Sequence, residues 1–92
     1  MADAAFTDEA SAEVEIHKLD AEAMFRSLNG FEEIALEQLF RTRLKTLADN
    51  ETQLMRALLV VEAKRAGQSD ADAFHNVMLL ALDAVTERFE QP

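Results

Sequence analysis

The chain has no cysteine, tryptophan or tyrosine, only two glycines, one proline and two histidines. Without cysteine there can be no disulfide framework, thiolate catalysis or zinc site with sulfur ligands. Scarce glycine and proline, with 49% hydrophobic residues among 92, favour one helical domain. No run approaches the roughly 18 apolar residues of a membrane span, and the N-terminus lacks a secretory signal pattern. We therefore expect a soluble, cytoplasmic protein that does not bind a membrane.

The net charge is −9 and is unevenly distributed. Residues 1–37 contain ten acids and two bases, whereas residues 38–92 contain eight acids and seven bases. The overall charge repels phosphate, and the basic residues have no aromatic neighbours in sequence for stacking on bases. Nucleic acid is therefore not an expected partner.

The apolar spacing predicts an all-α fold, a small bundle of about four helices over residues 19–92. Residues 1–18 form an acidic arm that we expect to be extended or disordered. Burial of its few apolar groups cannot offset the conformational entropy that the arm would lose on ordering. Within this arm Val14 and Ile16 alternate with polar residues, as in a half-buried strand. That segment is a possible interaction element.

The predicted first helix has Asp20 as its N-cap and ends at Asn29 and Gly30, which both tolerate the left-handed conformation. The second begins near Phe31 and carries two apolar stripes that are rotated relative to one another. A break near Thr42 would let each stripe face its own surface.

Asp49 or Asn50 is predicted to cap a third helix that ends at Gly67, and its apolar residues point in nearly every direction. We expect it to be buried on several sides. Ser69 is predicted to cap a fourth helix. The broad apolar stripe of this helix consists of Phe74, Val77, Met78, Ala81, Leu82, Val85 and Phe89. Leu79 falls on the polar side of that helix and is a candidate exposed contact.

Residues 28–67 carry more apolar surface than a two-helix hairpin of a small domain can hide by itself. The surplus predicts a partner, either a second copy of the chain or an apolar helix of another protein laid in a groove. The residues expected to contact it are Leu36, Phe40, Leu44, Leu47, Met55, Leu59 and Leu79.

No catalytic constellation is evident, so we expect a protein that is not an enzyme and has no cofactor. Asp70, Asp72 and His75 have a spacing that could hold a metal, but helix capping and dipole effects already explain the two aspartates, so no metal site is predicted. Glu37 is expected to pair with Arg41 one turn later.

One alternative is a carrier. Ser27 and Leu28, followed by ALEQLF at residues 35–40, resemble the modified serine of acyl carrier proteins and the helix that follows it. This resemblance implies a modification at Ser27.

A second resemblance covers residues 28–75. It consists of LNGFEEIALEQLF, the step RLKTL, an apolar helix that ends in basic residues, then Gly67 and the acidic turn at residues 69–72. In this plan the chain resembles the tail-assembly chaperones of long-tailed bacteriophages. The resemblance implies a protein of the host cytoplasm that coats apolar helices of the tape-measure protein and is absent from the finished particle.

A homodimeric helical adaptor or regulator is the competing interpretation. A groove for a client and a seam between two copies have the same composition, so the sequence does not separate them.

Overall fold

The computed structural model describes residues 18–90, and every regular element within them is a helix. The six helices are α1 (Ala21–Arg26), α2 (Gly30–Phe40), α3 (Leu44–Ala48), α4 (Glu51–Arg65), α5 (Asp70–Met78) and α6 (Leu82–Glu87). None of these helices is long and apolar enough to cross a membrane. The all-α prediction is confirmed, whereas the predicted arm lies outside the described residues except for Lys18.

Helix α4 is the centre of the domain, because it contacts each of the other five helices. As predicted, it is buried on several sides. The chain itself covers this helix, so the expected uncovered surplus is wrong for α4. The core consists of Leu36, Leu47, Met55, Ala57, Leu58, Leu59, Val60, Val61, Ala73, Val77, Val85 and Phe89.

The predicted break near Thr42 is confirmed. Helix α2 ends just before Arg41, which adopts the left-handed conformation with φ 55°. The carboxylate of Glu37 accepts a hydrogen bond of 2.8 Å from the backbone N–H of Leu44. Glu37 therefore holds the first turn of α3 instead of pairing with Arg41, which corrects the expected ion pair.

Three predicted N-caps are confirmed, since the side chains of Asp20, Asn50 and Ser69 each accept from the backbone N–H three residues later. The predicted end of α4 is also confirmed. Gly67 has φ 111°, and its N–H donates to the carbonyl of Lys64 at 2.9 Å. Glycine is suited to this position because it has no Cβ to clash at positive φ.

The prediction that Asn29 and Gly30 end the first helix is wrong, because Asn29 begins α2. The Asn29 side chain accepts from the N–H of Glu32 at 2.9 Å, and the Glu32 carboxylate accepts from the N–H of Asn29 at 3.0 Å. This reciprocal capping box satisfies two backbone donors at once. Glu32, three residues after the asparagine, is the part of the pattern that decides between a helix end and a helix start.

The predicted fourth helix is in fact two helices, α5 and α6, separated by a bend at residues 79–81. The chain after α6 returns to the start of the described region. Leu19 donates to the carbonyl of Arg88 and accepts from the N–H of Glu90, both at 2.8 Å, in an isolated parallel bridge. The bend and this bridge place the last residues of the domain against α4.

A candidate protein-interaction surface

Four large apolar side chains project into solvent where α5 meets α6. We call Met78, Leu79, Leu80 and Leu82 the junction surface; their exposed fractions range from 36% to 70%, with Leu79 the highest. Single exposed leucines are ordinary, but four exposed apolar side chains within five residues make this part of the chain a candidate protein-protein contact.

An open cavity of about 360 Å³ adjoins this surface, and Leu80 belongs to both. The cavity is lined by Leu59, Glu62, Ala63, Ala66, Gln68, Asn76, Val77, Leu80 and Arg88. Its lining is mostly apolar, and each of its four polar side chains already makes a hydrogen bond or an ion pair. Arg88 Nη2 lies 2.6 Å from Glu62 Oε1, and Asn76 Nδ2 donates to Gln68 Oε1 at 3.2 Å. The cavity can therefore accept an apolar side chain without leaving these polar groups unsatisfied.

The structure does not bring the seven predicted contact residues together on one surface. Leu36, Leu47, Met55 and Leu59 are buried in the core. Phe40 and Leu44 are partly buried and pack against it. Leu79 is exposed, as predicted. The part of the chain that the structure describes thus has no open groove lined by the four buried side chains, and binding of a partner by this set stays a prediction.

Sequence reasoning missed three of the four residues of the junction surface. Met78 and Leu82 lie on the apolar stripe predicted for one long helix, but both are about half exposed. A signal was present in the run MLLAL at residues 78–82, since a single face of one helix cannot bury five consecutive apolar side chains.

A second, smaller apolar surface lies on α2. Phe31 and Ile34 are 86% and 55% exposed and share one face of that helix. Their neighbour Glu33 is also exposed. These two side chains are candidates for a separate contact.

A polar cluster fixes the start of α2 against the end of α4. Arg65 donates from Nε and Nη2 to the two carboxylate oxygens of Glu32, each at 2.8 Å, and from Nη2 to Ser27 Oγ at 3.0 Å. The hydrogen bonds from Arg65 lower the pKa of the Glu32 carboxyl to about 2, although partial burial acts to raise it. The hydrogen bond from the Asn29 N–H and the positive charges of Arg65 and Lys64 also lower this pKa. The same contact raises the pKa of Arg65. Because the charges of Glu32 and Arg65 neutralise each other, we interpret this cluster as a structural contact.

The residues considered for chemistry have structural contacts. Ser27 Oγ donates to the carbonyl of Met24 at 2.7 Å while accepting from Arg65, so its hydroxyl is engaged on both sides. Asp70 pairs with Lys64 at 2.8 Å. Within residues 18–90, no group of three or more acidic or histidine side chains could hold a metal ion.

Comparison with models of known protein families, with curated proteins and with solved structures gives no match to this chain. The similarity to tail-assembly chaperones therefore rests on the sequence pattern at residues 28–75.

Proposed function

We propose that this protein is a non-enzymatic chaperone that binds an apolar helical segment of a client protein at the junction surface and the adjoining cavity. The observation that carries the proposal is the exposure of four large apolar side chains beside an open, mostly apolar cavity. The chaperone resemblance supports a tape-measure protein as the client and tail assembly in the host cytoplasm as the setting.

The expected affinity is moderate. The exposed parts of the junction surface amount to about two fully exposed side chains, whose burial contributes roughly 3–6 kcal/mol. Association alone costs an estimated 4 kcal/mol or more, so the junction surface by itself is insufficient. The client must also fill the cavity near Leu59 and Val77, and the resulting complex would be reversible. Reversibility suits a chaperone that leaves its client as assembly proceeds.

A homodimeric adaptor is the second candidate, and the separate pair Phe31 and Ile34 favours it. A chain with two apolar surfaces can use one for its own copy and the other for a different partner. Under this alternative the junction surface, or the α2 pair, is the seam of a dimer.

The test is co-expression with a long apolar helical segment of a tape-measure protein, followed by co-purification and a binding titration. The variant Leu79→Ser removes the most exposed side chain of the junction surface, and Phe31→Ser is the matched control on α2. We expect Leu79→Ser to weaken binding by about tenfold, since losing a buried leucine contact costs about 1–2 kcal/mol, while Phe31→Ser binds as the unmodified chain does.

Two outcomes would contradict the proposal. Equal binding by Leu79→Ser and the unmodified chain would exclude the junction surface as the client site. A stable homodimer that takes up no client, and that Leu79→Ser or Phe31→Ser dissociates, would favour the adaptor.

A further inference from the structure

The bend between α5 and α6 has no local cause in the sequence. Residues 70–90 contain neither glycine nor proline, and helix-compatible residues occupy positions 79–81. Ala81, the N-cap of α6, makes no side-chain capping bond. The apolar spacing on either side of the bend also fits one continuous helix, although the run at residues 78–82 exceeds one face of it. The bend is therefore maintained by contacts with the rest of the domain.

Arg56 on α4 supplies one such contact. Its Nη1 donates to the carbonyls of Val77 at 3.1 Å and Leu80 at 2.9 Å. In a continuous helix these two carbonyls would accept from the N–H groups of Ala81 and Ala84. In the bent form the carbonyl of Val77 also accepts from the N–H of Leu80 at 3.1 Å. The guanidinium thus supplies a donor to the carbonyl of Leu80 and a second donor to the carbonyl of Val77, and it stabilises the bent form.

Residues 82–90 are held by contacts that a second copy could supply equally well. Among the described helices α6 contacts only α4, and the Glu62–Arg88 ion pair lies beyond its end. The backbone of Arg88 and Glu90 is also hydrogen-bonded to Leu19. If residues 70–87 straightened, residues 82–90 would leave their own domain and could make the same contacts with α4 and Leu19 of another chain. Exchange of an identical element in this way is a low-cost route to a dimer.

The exposed junction surface fits the same rearrangement. In an exchanged pair the two straightened segments pass each other at residues 78–82 around the two-fold axis. Met78, Leu79 and Leu82 of both copies would then meet and bury side chains that the single chain exposes.

We propose that the chain forms a dimer by exchanging residues 82–90, which comprise α6 and the segment paired with Leu19, through a hinge at residues 79–81, and that Arg56 favours the closed single chain. Arg88 of one copy then completes the cavity of the other. On the basis of the function proposed above, the exchanged dimer is also the form whose junction surface is covered and which binds client less tightly.

Because the chain contains no cysteine, two thiols introduced by mutation can be crosslinked without competing reactions. Glu62→Cys and Arg88→Cys together place two thiols at the α4 and α6 sides of the cavity, for a short bismaleimide crosslinker. In the closed chain the crosslink joins residues of one chain, and in the exchanged dimer it joins two chains, which denaturing electrophoresis separates. The pair Glu22→Cys and Arg26→Cys, one turn apart on α1, is the control that crosslinks within a chain in either form.

The variant Arg56→Met removes the hydrogen bonds to the carbonyls of Val77 and Leu80 and keeps the apolar part of the side chain. Its control is Arg26→Met, which breaks an exposed ion pair with Glu22 on α1. We expect Arg56→Met to lower the dimer dissociation constant about tenfold by light scattering, with interchain crosslinks in the dimer fraction. A dimer containing only intrachain crosslinks, or an Arg56→Met chain as monomeric as Arg26→Met, would overturn the proposal.

If Arg56→Met does not fold, the cysteine pair in the chain that retains Arg56 is refolded at high protein concentration. Interchain crosslinks that increase with concentration support exchange, and their absence overturns it. Neither readout involves a client, so failure of client binding and failure of exchange are distinguishable.

Discussion

Replacing Glu32 by glutamine tests the polar cluster that holds α2 against α4. The Glu32 side chain is only 13% exposed, that of Arg65 is 41% exposed, and two parallel hydrogen bonds of 2.8 Å join them. Glutamine keeps an oxygen that can accept from the N–H of Asn29, so the capping box survives. The substitution therefore removes the charge of the pair and leaves the helix start in place.

The magnitude follows from the pKa of Glu32, which is about 2 in the folded chain against 4.5 for an ordinary glutamate. That difference corresponds to at most about 3 kcal/mol of folding free energy at neutral pH. Solvent screening reduces it because Arg65 is substantially exposed, so we expect a loss of about 1–2 kcal/mol in Glu32→Gln. This exceeds the value typical of fully exposed pairs because the contact is bidentate and partly buried.

The sign of the pH dependence is fixed by the lowered pKa. Stability from this carboxylate is fully present above the unfolded pKa of 4.5 and is lost as the pH falls through the folded pKa of about 2. The free energies of unfolding of the unmodified chain and Glu32→Gln should therefore differ at pH 7 and converge between about pH 5 and pH 2.

The assay is urea denaturation followed by circular dichroism across this pH range, with Glu33→Gln as the control. Glu33 lies in the same first turn of α2 and is exposed, so both variants lose the same helix-dipole interaction. The reasoning is refuted if Glu32→Gln is no less stable than Glu33→Gln at pH 7, or if their difference persists unchanged at pH 2.

Three further outcomes concern the fold, all measured as free energies of unfolding in urea. Gly67→Ala should cost about 1 kcal/mol because alanine is strained at positive φ, although open space surrounds the added Cβ, and an unchanged value would contradict this. Leu58→Ala should cost about 3 kcal/mol and Phe31→Ala less than about 0.5 kcal/mol, whereas equal losses would contradict their burial and exposure. Asn50→Ala should cost about 1 kcal/mol through its lost hydrogen bond to the N–H of Gln53, and a neutral result would exclude a capping role.

Helix boundaries were predictable where one local rule applies, and ambiguous where two compete. Asp49 and Asn50 are adjacent candidates for the N-cap of one predicted helix, and the structure has Asn50 in that position. Asn29 and Gly30 together fit either a helix end or a helix start. The prediction places them at the end of the first helix, whereas Asn29 is the N-cap of α2. The deciding residue was Glu32, whose side chain completes the capping box.

The bend between α5 and α6 could not be derived locally, because its hydrogen-bond donor is distant in the chain. Arg56 lies 21 residues from Val77 and 24 from Leu80. Periodicity describes what a segment prefers when its own backbone groups pair with one another. A guanidinium from another helix changes that preference. The run MLLAL at residues 78–82 shows only that the apolar residues exceed one helix face, and it does not show where the helix bends.

Contacts between distant parts of the chain also explain why the sequence did not predict that most of the expected contact residues are buried. Composition measures how much apolar surface a chain has, but the arrangement of helices decides which part is covered. Five helices surround α4 and cover the side chains of Met55 and Leu59, two of the residues that the sequence predicts to contact a partner. Both halves of the predicted stripe keep side chains in the core, with Val77 before the bend and Val85 after it, whereas Met78 and Leu82 beside the bend are about half exposed. The junction surface therefore lies where the helix changes direction, whereas the α2 pair is exposed away from the bend. In the exchange proposed above, the guanidinium that holds the bend also controls how much of the junction surface a partner can reach.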